Sequence, residues 1–223
     1  RDFCLSRGLG DVYKRQVLVW WFEEKMKPVM KGYAGLVVYA DDFVVCFQYK
    51  SDAEVFYKHL KSRMIHFGLE LEENKTRLIE FGRFAESNRK DRGDGRPETF
   101  TFLGFTHYCS HSKTGRFRVK RKTGKKKFAK KSREINAMIR DMRFQHINYI
   151  VKKLNEILVG YYHYYGITDN SKSLRLFYNV VRFRLFYWLN RRSQRRSYTK
   201  EGYKELLRQF PLAQPRIYVS IYR

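Results

Sequence analysis

Cysteine is scarce in this sequence. The chain of 223 residues has three cysteines, at positions 4, 46 and 109, and none of them belongs to a Cys-x-x-Cys pair. The absence of such pairs excludes a zinc site of the usual spacing. An odd, scattered set of thiols is typical of a reducing compartment, and we therefore predict a cytoplasmic location.

Long hydrophobic runs are also absent. A membrane-spanning helix needs about 18 consecutive apolar residues, whereas the run at residues 17–22, VLVWWF, is followed directly by two glutamates. We therefore predict that no segment spans a membrane.

Acidic residues are few relative to basic ones. Forty-seven Lys and Arg stand against twenty-two Asp and Glu, which gives a formal net charge of +25 and an isoelectric point near 10.1. A field of this strength favours a polyanionic partner. Nucleic acid is the first candidate, and an anionic membrane surface is the alternative. The basic segments carry no lipidation signal and no clear membrane-binding helix.

The first part of the chain reads as strands with one helix. Residues 1–16, RDFCLSRGLGDVYKRQ, have no periodicity and are predicted to be a non-native leader. Two Val- and Phe-rich runs, 36–39 and 43–47, predict a β-hairpin. A capping box at Ser51 and Glu54 begins a helix that we expect to close at Gly68. Further strands are predicted at 69–71, 77–81, 99–110 and 117–122, with a polar loop at 85–98.

The second part has helical periodicity. The pattern predicts helices over 125–144, 146–165, 172–196 and 199–209. The second of these has the clearest apolar stripe, formed by Ile147, Ile150, Val151, Leu154, Ile157, Leu158, Tyr161 and Tyr165. We therefore predict an α+β protein with a boundary near residue 122, so that 17–122 carries the strands and 123–223 is a helical bundle.

Asp41 and Asp42 interrupt the apolar sequence of the predicted hairpin. Asp is common in turns, so a plain turn is one reading. Paired carboxylates on a rigid hairpin also suit Mg²⁺, which prefers hard oxygen ligands. Two such ions can stabilise the attacking and leaving oxygens of phosphoryl transfer. We therefore predict a metal site at the tip of this hairpin.

Four motifs occur in an order that resembles one family. Residues 39–43, YADDF, resemble the YxDD signature of reverse transcriptases, in the form usual in the group II intron-encoded branch. Residues 69–76, LELEENKT, resemble the next palm motif, and residues 102–105, FLGF, resemble the motif that holds the primer end. Residues 160–166, GYYHYYG, resemble the thumb/maturase region of bacterial group II intron proteins. The resemblance runs from about residue 18 to the C-terminus.

The resemblance implies a fold and site residues. The fold would be a partial polymerase palm, an antiparallel sheet with the YADD hairpin and a packed helix, followed by an all-α thumb/maturase bundle. Asp41 would bind the catalytic Mg²⁺ ions, Asp42 would be a weaker ligand or a support, and Lys75 would neutralise or protonate the pyrophosphate. The residues expected to contact the incoming nucleotide and the primer are Tyr39, Ala40, Phe102, Leu103, Gly104 and Phe105.

A third carboxylate ligand, expected upstream of the YADD motif in such palms, has no counterpart here, and neither do the fingers. We therefore predict that this chain alone does not polymerise DNA. The leading hypothesis is an RNA-directed DNA polymerase of group II intron type with a maturase role, present as a fragment. The alternatives are an inactive RNA-binding maturase remnant and a basic DNA-binding protein with an accidental YADD.

The basic residues are concentrated in two segments. Residues 113–152 hold fifteen Lys and Arg and two acids, and alternation along 116–122 places the charges on one strand face that could follow a phosphate backbone. A second cluster lies at 182–196, where we expect Phe183, Tyr187 and Trp188 to share an inner, core-facing side. The predicted partners are intron RNA, an RNA template with a DNA primer, and deoxynucleoside triphosphates. The predicted RNA-binding residues are Arg116, Arg118, Lys120, Lys122, Lys125, Lys126, Lys127, Arg191 and Arg192.

Overall fold

The computed structural model describes residues 18–40, 42–66, 76–195 and 197–221. The chain divides into two compact units, residues 1–80 and 81–223. The described residues form two small antiparallel sheets and several helices, which confirms the predicted α+β class. Residue 122, where the sequence predicted a domain boundary, lies within the second of these units. The predicted boundary remains a prediction.

The first unit is built on a hairpin and a helix. Strand β1 (Ala34–Tyr39) pairs antiparallel with strand β2 (Asp42–Phe47), as predicted. Helix α1 (Lys50–His66) follows, and its predicted end at Gly68 lies outside the described residues. A helical segment before β1 passes through a π-helical turn at Phe22–Met26 and a 3-10 turn at Lys27–Val29.

Phe56 of α1 is the centre of the first core. Its ring lies 5.5 Å from that of Trp21, 5.7 Å from that of Phe22 and 5.3 Å from that of Phe47. Side chains alternate across a strand, so one face of the hairpin covers this core and the other is exposed. The covering residues are Ala34, Leu36, Val38, Phe43, Val45 and Phe47. This packing holds one face of the hairpin against the core residues of α1 and of the helical segment before β1.

The second unit begins with a three-stranded sheet. Strand β3 (Phe100–Phe102), strand β4 (Phe105–His111) and strand β5 (Phe117–Thr123) pair antiparallel in that order. The single strand predicted over 99–110 is wrong because Leu103 and Gly104, with φ of 50° and 76°, form a two-residue turn between β3 and β4. Two successive positive φ values are the geometry of a tight hairpin turn.

Two further predictions in this region are wrong. The polar segment 85–98 is not all loop, because helix α2 (Ala85–Asp91) lies in it, with Glu86 in its first turn and Arg89 and Lys90 in its last. That distribution of charge suits the helix dipole. Residues 76–81 form no strand, since none of the described strands pairs with them. The strand predicted at 69–71 lies outside the described residues.

Four helices complete the second unit. They are α3 (Lys125–Met142), α4 (Ile147–Tyr165), α5 (Ser171–Leu189) and α6 (Lys200–Gln209). The predicted stripe of α4 is confirmed: Ile150, Leu154 and Leu158 are fully buried, and Ile147, Ile157 and Tyr165 pack against the core. The core row of α5 comprises Leu174, Phe177, Val181, Leu185 and Leu189.

Helix α5 ends earlier than the predicted residue 196. Asn190 follows the last helical residue, its Nδ2 donates to the Phe186 carbonyl at 3.3 Å, and its Oδ1 accepts from the Tyr198 N–H at 2.7 Å. The side chain therefore caps the helix and turns the chain toward α6. Helix α6 begins at Thr199, whose Oγ1 accepts from the Gly202 N–H at 3.1 Å, a typical N-cap.

In the part of the chain that the structure describes, every helix is too short or too polar to cross a bilayer.

Candidate catalytic hairpin and nucleic-acid interface

The β1–β2 hairpin has a two-residue tip. Tyr39 pairs with Asp42, so Ala40 and Asp41 form the connection. Ala40 has a φ of 50°. This left-handed region costs most residues about 1 kcal/mol, and Gly, Asn and Asp are the usual exceptions. Strain of this kind is found at functional sites, where the surrounding structure holds it in place. Asp41, the principal metal ligand predicted, lies outside the described residues.

Asp42 can accept a cation. Its side chain is exposed at the start of β2, and no described basic residue forms an ion pair with it. A free carboxylate on a rigid strand fits the oxygen donors that Mg²⁺ prefers. Among the described residues no group of three or more His, Cys, Asp or Glu could hold a metal. Tyr39, 62% exposed, lies beside Asp42 and is accessible to a ligand, whereas Lys75 lies outside the described residues.

The FLGF motif forms the β3–β4 turn, and α4 holds it. Phe102 and Phe105 pair across the turn. The Tyr164 hydroxyl donates to the Leu103 carbonyl at 2.9 Å, and the Tyr164 ring stacks on Phe105 with centroids 5.9 Å apart. The turn is therefore attached to the tyrosine-rich end of α4 by both a hydrogen bond and a ring contact.

Gly104 is required at this turn for two reasons. Its φ is positive, and a Cβ at this position would lie 2.9 Å from the Tyr165 hydroxyl. The Gly104 carbonyl accepts from the Gly124 N–H at 2.8 Å, which ties the turn to the start of α3. The FLGF motif pointed to Gly104 at the sequence level, but the sequence could not name the Tyr165 hydroxyl that approaches it.

The four tyrosines of residues 161–165 differ in how far they are exposed to solvent. Tyr161 and Tyr162 are buried, and the Tyr162 hydroxyl donates to the Ala213 carbonyl at 3.2 Å. Burial raises the pKa of Tyr161 to about 12 and that of Tyr162 well above its ordinary value. Tyr164 is 54% exposed. Of the four, Tyr164 therefore presents the most open ring.

Asn170 joins the sheet to the helices and was missed at the sequence level. Its side chain is fully buried. Oδ1 accepts from the Thr123 N–H at 2.9 Å, and Nδ2 donates to the Thr123 hydroxyl at 2.9 Å and to the Tyr165 carbonyl at 2.8 Å. A lone Asn in a polar loop gives no signal for a partner 47 residues earlier in the chain.

One face of the three-stranded sheet is basic. Arg118, Lys120 and Lys122 alternate along β5, opposite Ser110, Tyr108 and Thr106 of β4. The Lys122 ammonium lies 5.3 Å from the centre of the Tyr108 ring. The other face carries Phe117 and Val119, as the alternation predicted, but it also carries Arg121, which lies opposite His107.

The basic segment continues into a helix. Lys125, Lys126 and Lys127 are exposed in the first turn of α3, which contains no acid, and Gly124 before them provides no side-chain cap. Cations at a helix N-terminus oppose the helix dipole. A bound phosphate would reverse that unfavourable interaction, because helix N-termini attract anions.

Arg191 and Arg192 lie in the turn after α5. The Arg191 guanidinium stacks over the Tyr187 ring at 4.2 Å. Arg192 is half-buried, and its Nη2 donates to the Gln145 carbonyl at 3.1 Å, so it also fastens the α3–α4 connection. The expectation that Phe183 faces the core is wrong: it is 60% exposed, because the core row of α5 runs through Val181 and Leu185 on the other side.

Two family models match this chain. The family model for reverse transcriptase (RNA-dependent DNA polymerase) matches residues 19–107. The model for the group II intron maturase-specific domain matches residues 125–206. A search of curated proteins found no match. The two matches together cover well over half of the chain, in the order that the motifs predicted, and the chain belongs to the group II intron-encoded reverse transcriptase/maturase family.

Proposed function

We propose that this chain serves RNA-directed DNA synthesis and intron-RNA binding in a group II intron reverse transcriptase of the bacterial cytoplasm. One observation carries the RNA-binding part: the basic face of β5 leads, two residues later, into a helix N-terminus with three exposed lysines, where the maturase match begins. The partners are intron RNA, an RNA template with a DNA primer, and deoxynucleoside triphosphates.

The hairpin tip would supply the metal ligands for synthesis. Asp41 and Asp42 are the carboxylates that would hold Mg²⁺, which in this family promotes phosphoryl transfer. The exposed, unpaired Asp42 and the strained Ala40 support this assignment. Tyr39 and Ala40 would contact the incoming nucleotide and the primer end, and Lys75 would neutralise or protonate the pyrophosphate.

The β3–β4 turn would hold the primer 3′ end. Phe102, Leu103, Gly104 and Phe105 form a tight turn, in which the absence of a side chain on Gly104 makes room for the Tyr165 hydroxyl. The hydrogen bond from Tyr164 to Leu103 supports the assignment, since a turn that positions a reactive terminus must itself be rigid.

RNA binding by the chain is the first test. The expected result is a linear fall of log K with log salt between about 50 and 500 mM NaCl, with tighter binding to a group II intron RNA than to an unrelated RNA of equal length. Replacing Arg118, Lys120 and Lys122 by Gln should weaken binding and reduce the slope. Binding that is insensitive to salt would overturn the proposed interface.

Synthesis is tested separately in the full-length protein. Asp41→Asn should abolish primer extension and leave intron-RNA binding unchanged, because it removes a metal ligand and no RNA contact. Asp91→Asn, at the exposed end of α2, is the matched control. Normal extension by Asp41→Asn would rule out the metal site, and a wild-type protein that binds RNA without extending primers would favour an inactive maturase remnant.

A further inference from the structure

A hollow of about 380 Å³ lies at the C-terminal end of α5. It is lined by Phe183, Phe186, Tyr187, Asn190 and Arg191. The hollow is open to solvent and not an enclosed pocket. Three aromatic rings, one amide and one guanidinium are also the groups on which proteins stack and hydrogen-bond unpaired RNA bases.

The stacking groups form a row. Phe183, Tyr187 and Arg191 are spaced by four residues, so they lie above one another on the same side of α5 and the turn that follows it. Phe183 is 60% exposed, and the Arg191 guanidinium covers the Tyr187 ring at 4.2 Å. The row therefore presents the exposed Phe183 ring and the planar Arg191 guanidinium, neither of which belongs to the protein core.

The other two lining residues, Phe186 and Asn190, are fixed in place. Phe186 packs on Tyr203 of α6 with ring centroids 5.0 Å apart, and the Tyr203 hydroxyl donates to the Arg182 carbonyl at 2.7 Å. Asn190 is held by its hydrogen bonds to Phe186 and Tyr198. Phe186 and Asn190 are thus held in place without a ligand, which lowers the entropic cost of binding against them.

The charge around the hollow selects the occupant. Residues 171–200 contain nine Lys and Arg and no Asp or Glu. Arg191 forms no ion pair with any carboxylate among the described residues. A phosphate-linked base satisfies both features, since its ring fills the hollow and its phosphates meet the arginines, whereas an apolar peptide side chain would leave the charge uncompensated.

We propose that this hollow binds one unpaired base of a single-stranded RNA segment, stacked on the row of Phe183, Tyr187 and Arg191. The inference rests on the proposed RNA-binding function and adds a site to it. It differs from the basic sheet face, because that face contacts phosphates and accepts paired and unpaired RNA alike, whereas a stacking site requires a base that is free of its partner.

The test compares one RNA strand with its own duplex. Phe183→Ala and Tyr187→Ala are titrated with a fluorescein-labelled 12-nucleotide RNA, as a single strand and annealed to its complement. Loss of base stacking on an aromatic side chain should weaken single-strand binding about 5- to 100-fold and leave duplex binding unchanged. A 2-aminopurine base in the single strand should be quenched by the wild-type chain and not by Tyr187→Ala.

Phe144→Ala is the matched control. Phe144 is 65% exposed and has the Arg143 guanidinium 4.3 Å above its ring, but it is not among the residues that line this hollow. The base site would be overturned if Phe183→Ala and Tyr187→Ala weakened the binding of single strand and duplex equally, or if neither weakened binding. Salt-sensitive binding of the duplex would still support the proposed function. A wild-type chain that binds neither RNA would overturn the proposed function itself. Circular dichroism of each variant identifies losses caused by unfolding.

Discussion

At the scale of single residues, Asn170 has a structural role that its sequence context does not reveal. One buried amide satisfies the Thr123 N–H, the Thr123 hydroxyl and the Tyr165 carbonyl. Buried polar groups that lose their partners are costly. The carboxamide therefore fixes both the end of β5 and the end of α4.

Asn170→Ala should lower the free energy of unfolding by about 3 kcal/mol, because three hydrogen bonds are lost and their partners remain buried. Urea denaturation followed by circular dichroism measures this change. Asn148→Ala, on the exposed side of α4, is the control and should alter stability by less than about 0.5 kcal/mol. Equal effects of the two substitutions would contradict the role assigned to Asn170.

His107 gives the second unit a pH dependence. Its ring stacks on Phe100 with centroids 4.8 Å apart, and burial, together with the positive charge of Arg121, lowers the pKa of His107 below its ordinary value of 6.5. The folded state thus disfavours the protonated ring. The stability that results is fully present above pH 6.5 and is lost as the pH falls through the lower folded pKa.

His107→Phe should therefore make unfolding less sensitive to acid, since phenylalanine can stack on Phe100 but cannot be protonated. The measurement is the urea midpoint of wild type and variant between pH 7.5 and 5, values chosen to bracket the ordinary histidine pKa of about 6.5. His146→Gln, an exposed histidine before α4, should keep the wild-type slope. A wild-type slope in His107→Phe as well would refute the assignment.

At the scale of elements, the β3–β4 turn allows two effects of glycine to be separated. Gly104 and Gly115 share a φ of 76°, but a Cβ at Gly115 meets nothing within 4 Å, whereas one at Gly104 meets the Tyr165 hydroxyl. The Tyr165 ring cannot move aside freely, because Phe105 and Tyr161 lie 5.2 and 4.6 Å from it.

Gly104→Ala should destabilise the protein more than Gly115→Ala by about 1 kcal/mol, the usual size of a modest overpacking effect. Thermal unfolding of the two variants measures the difference. Adding Tyr165→Phe to Gly104→Ala removes the clashing oxygen and should restore most of the loss. If the second change restores nothing, the cost at Gly104 is backbone strain alone.

Helix α3 begins with a charge pattern that is unfavourable for the helix by itself. Replacing Lys125, Lys126 and Lys127 by Gln should reduce the slope of log K against log salt by about 2, as expected for three lost phosphate contacts. The same variant should melt slightly higher without RNA, because the cations oppose the helix dipole. Lys200→Gln with Lys204→Gln on α6 is the control for loss of charge elsewhere. An unchanged slope would remove these lysines from the interface.

Local elements could be predicted from the sequence where periodicity is strong. The stripe of α4 follows from helical spacing, and the β1–β2 hairpin follows from two Val- and Phe-rich runs. The pairing of Tyr39 with Asp42 makes the connection one residue shorter than those runs predicted. The break at Leu103 could not be predicted, because Leu rarely adopts positive φ and the turn depends on contacts with Tyr164 and Gly124. The candidate site divides in the same way: motifs identified Asp42 and Gly104, whereas the role of Tyr164 depends on its contact with Leu103, 61 residues earlier. The hollow beside Phe183 could not be predicted because it depends on which side of α5 faces the core.

At the scale of the whole molecule, a charge of +25 should make the free protein repel itself. Raising NaCl from about 0.05 to 0.5 M shortens the screening length from roughly 14 to 4 Å, and the melting temperature should rise accordingly. The surface ion pairs that salt also weakens contribute little. Differential scanning fluorimetry with NaCl and with KCl tests this, and a melting temperature that falls with both salts would contradict it.

The attachment of the β3–β4 turn to α4 has a consequence for recombination between relatives. The reverse transcriptase match ends at residue 107 and the maturase match begins at residue 125, but residues 105–111 pair with residues 117–123 across that interval. A chimera joined between residues 107 and 125 would place Phe105 of one relative against the tyrosines at positions 164 and 165 of another. Exchangeable modules in such proteins would instead carry the β3–β5 sheet together with the maturase helices, so the unit of inheritance would extend upstream of the maturase match.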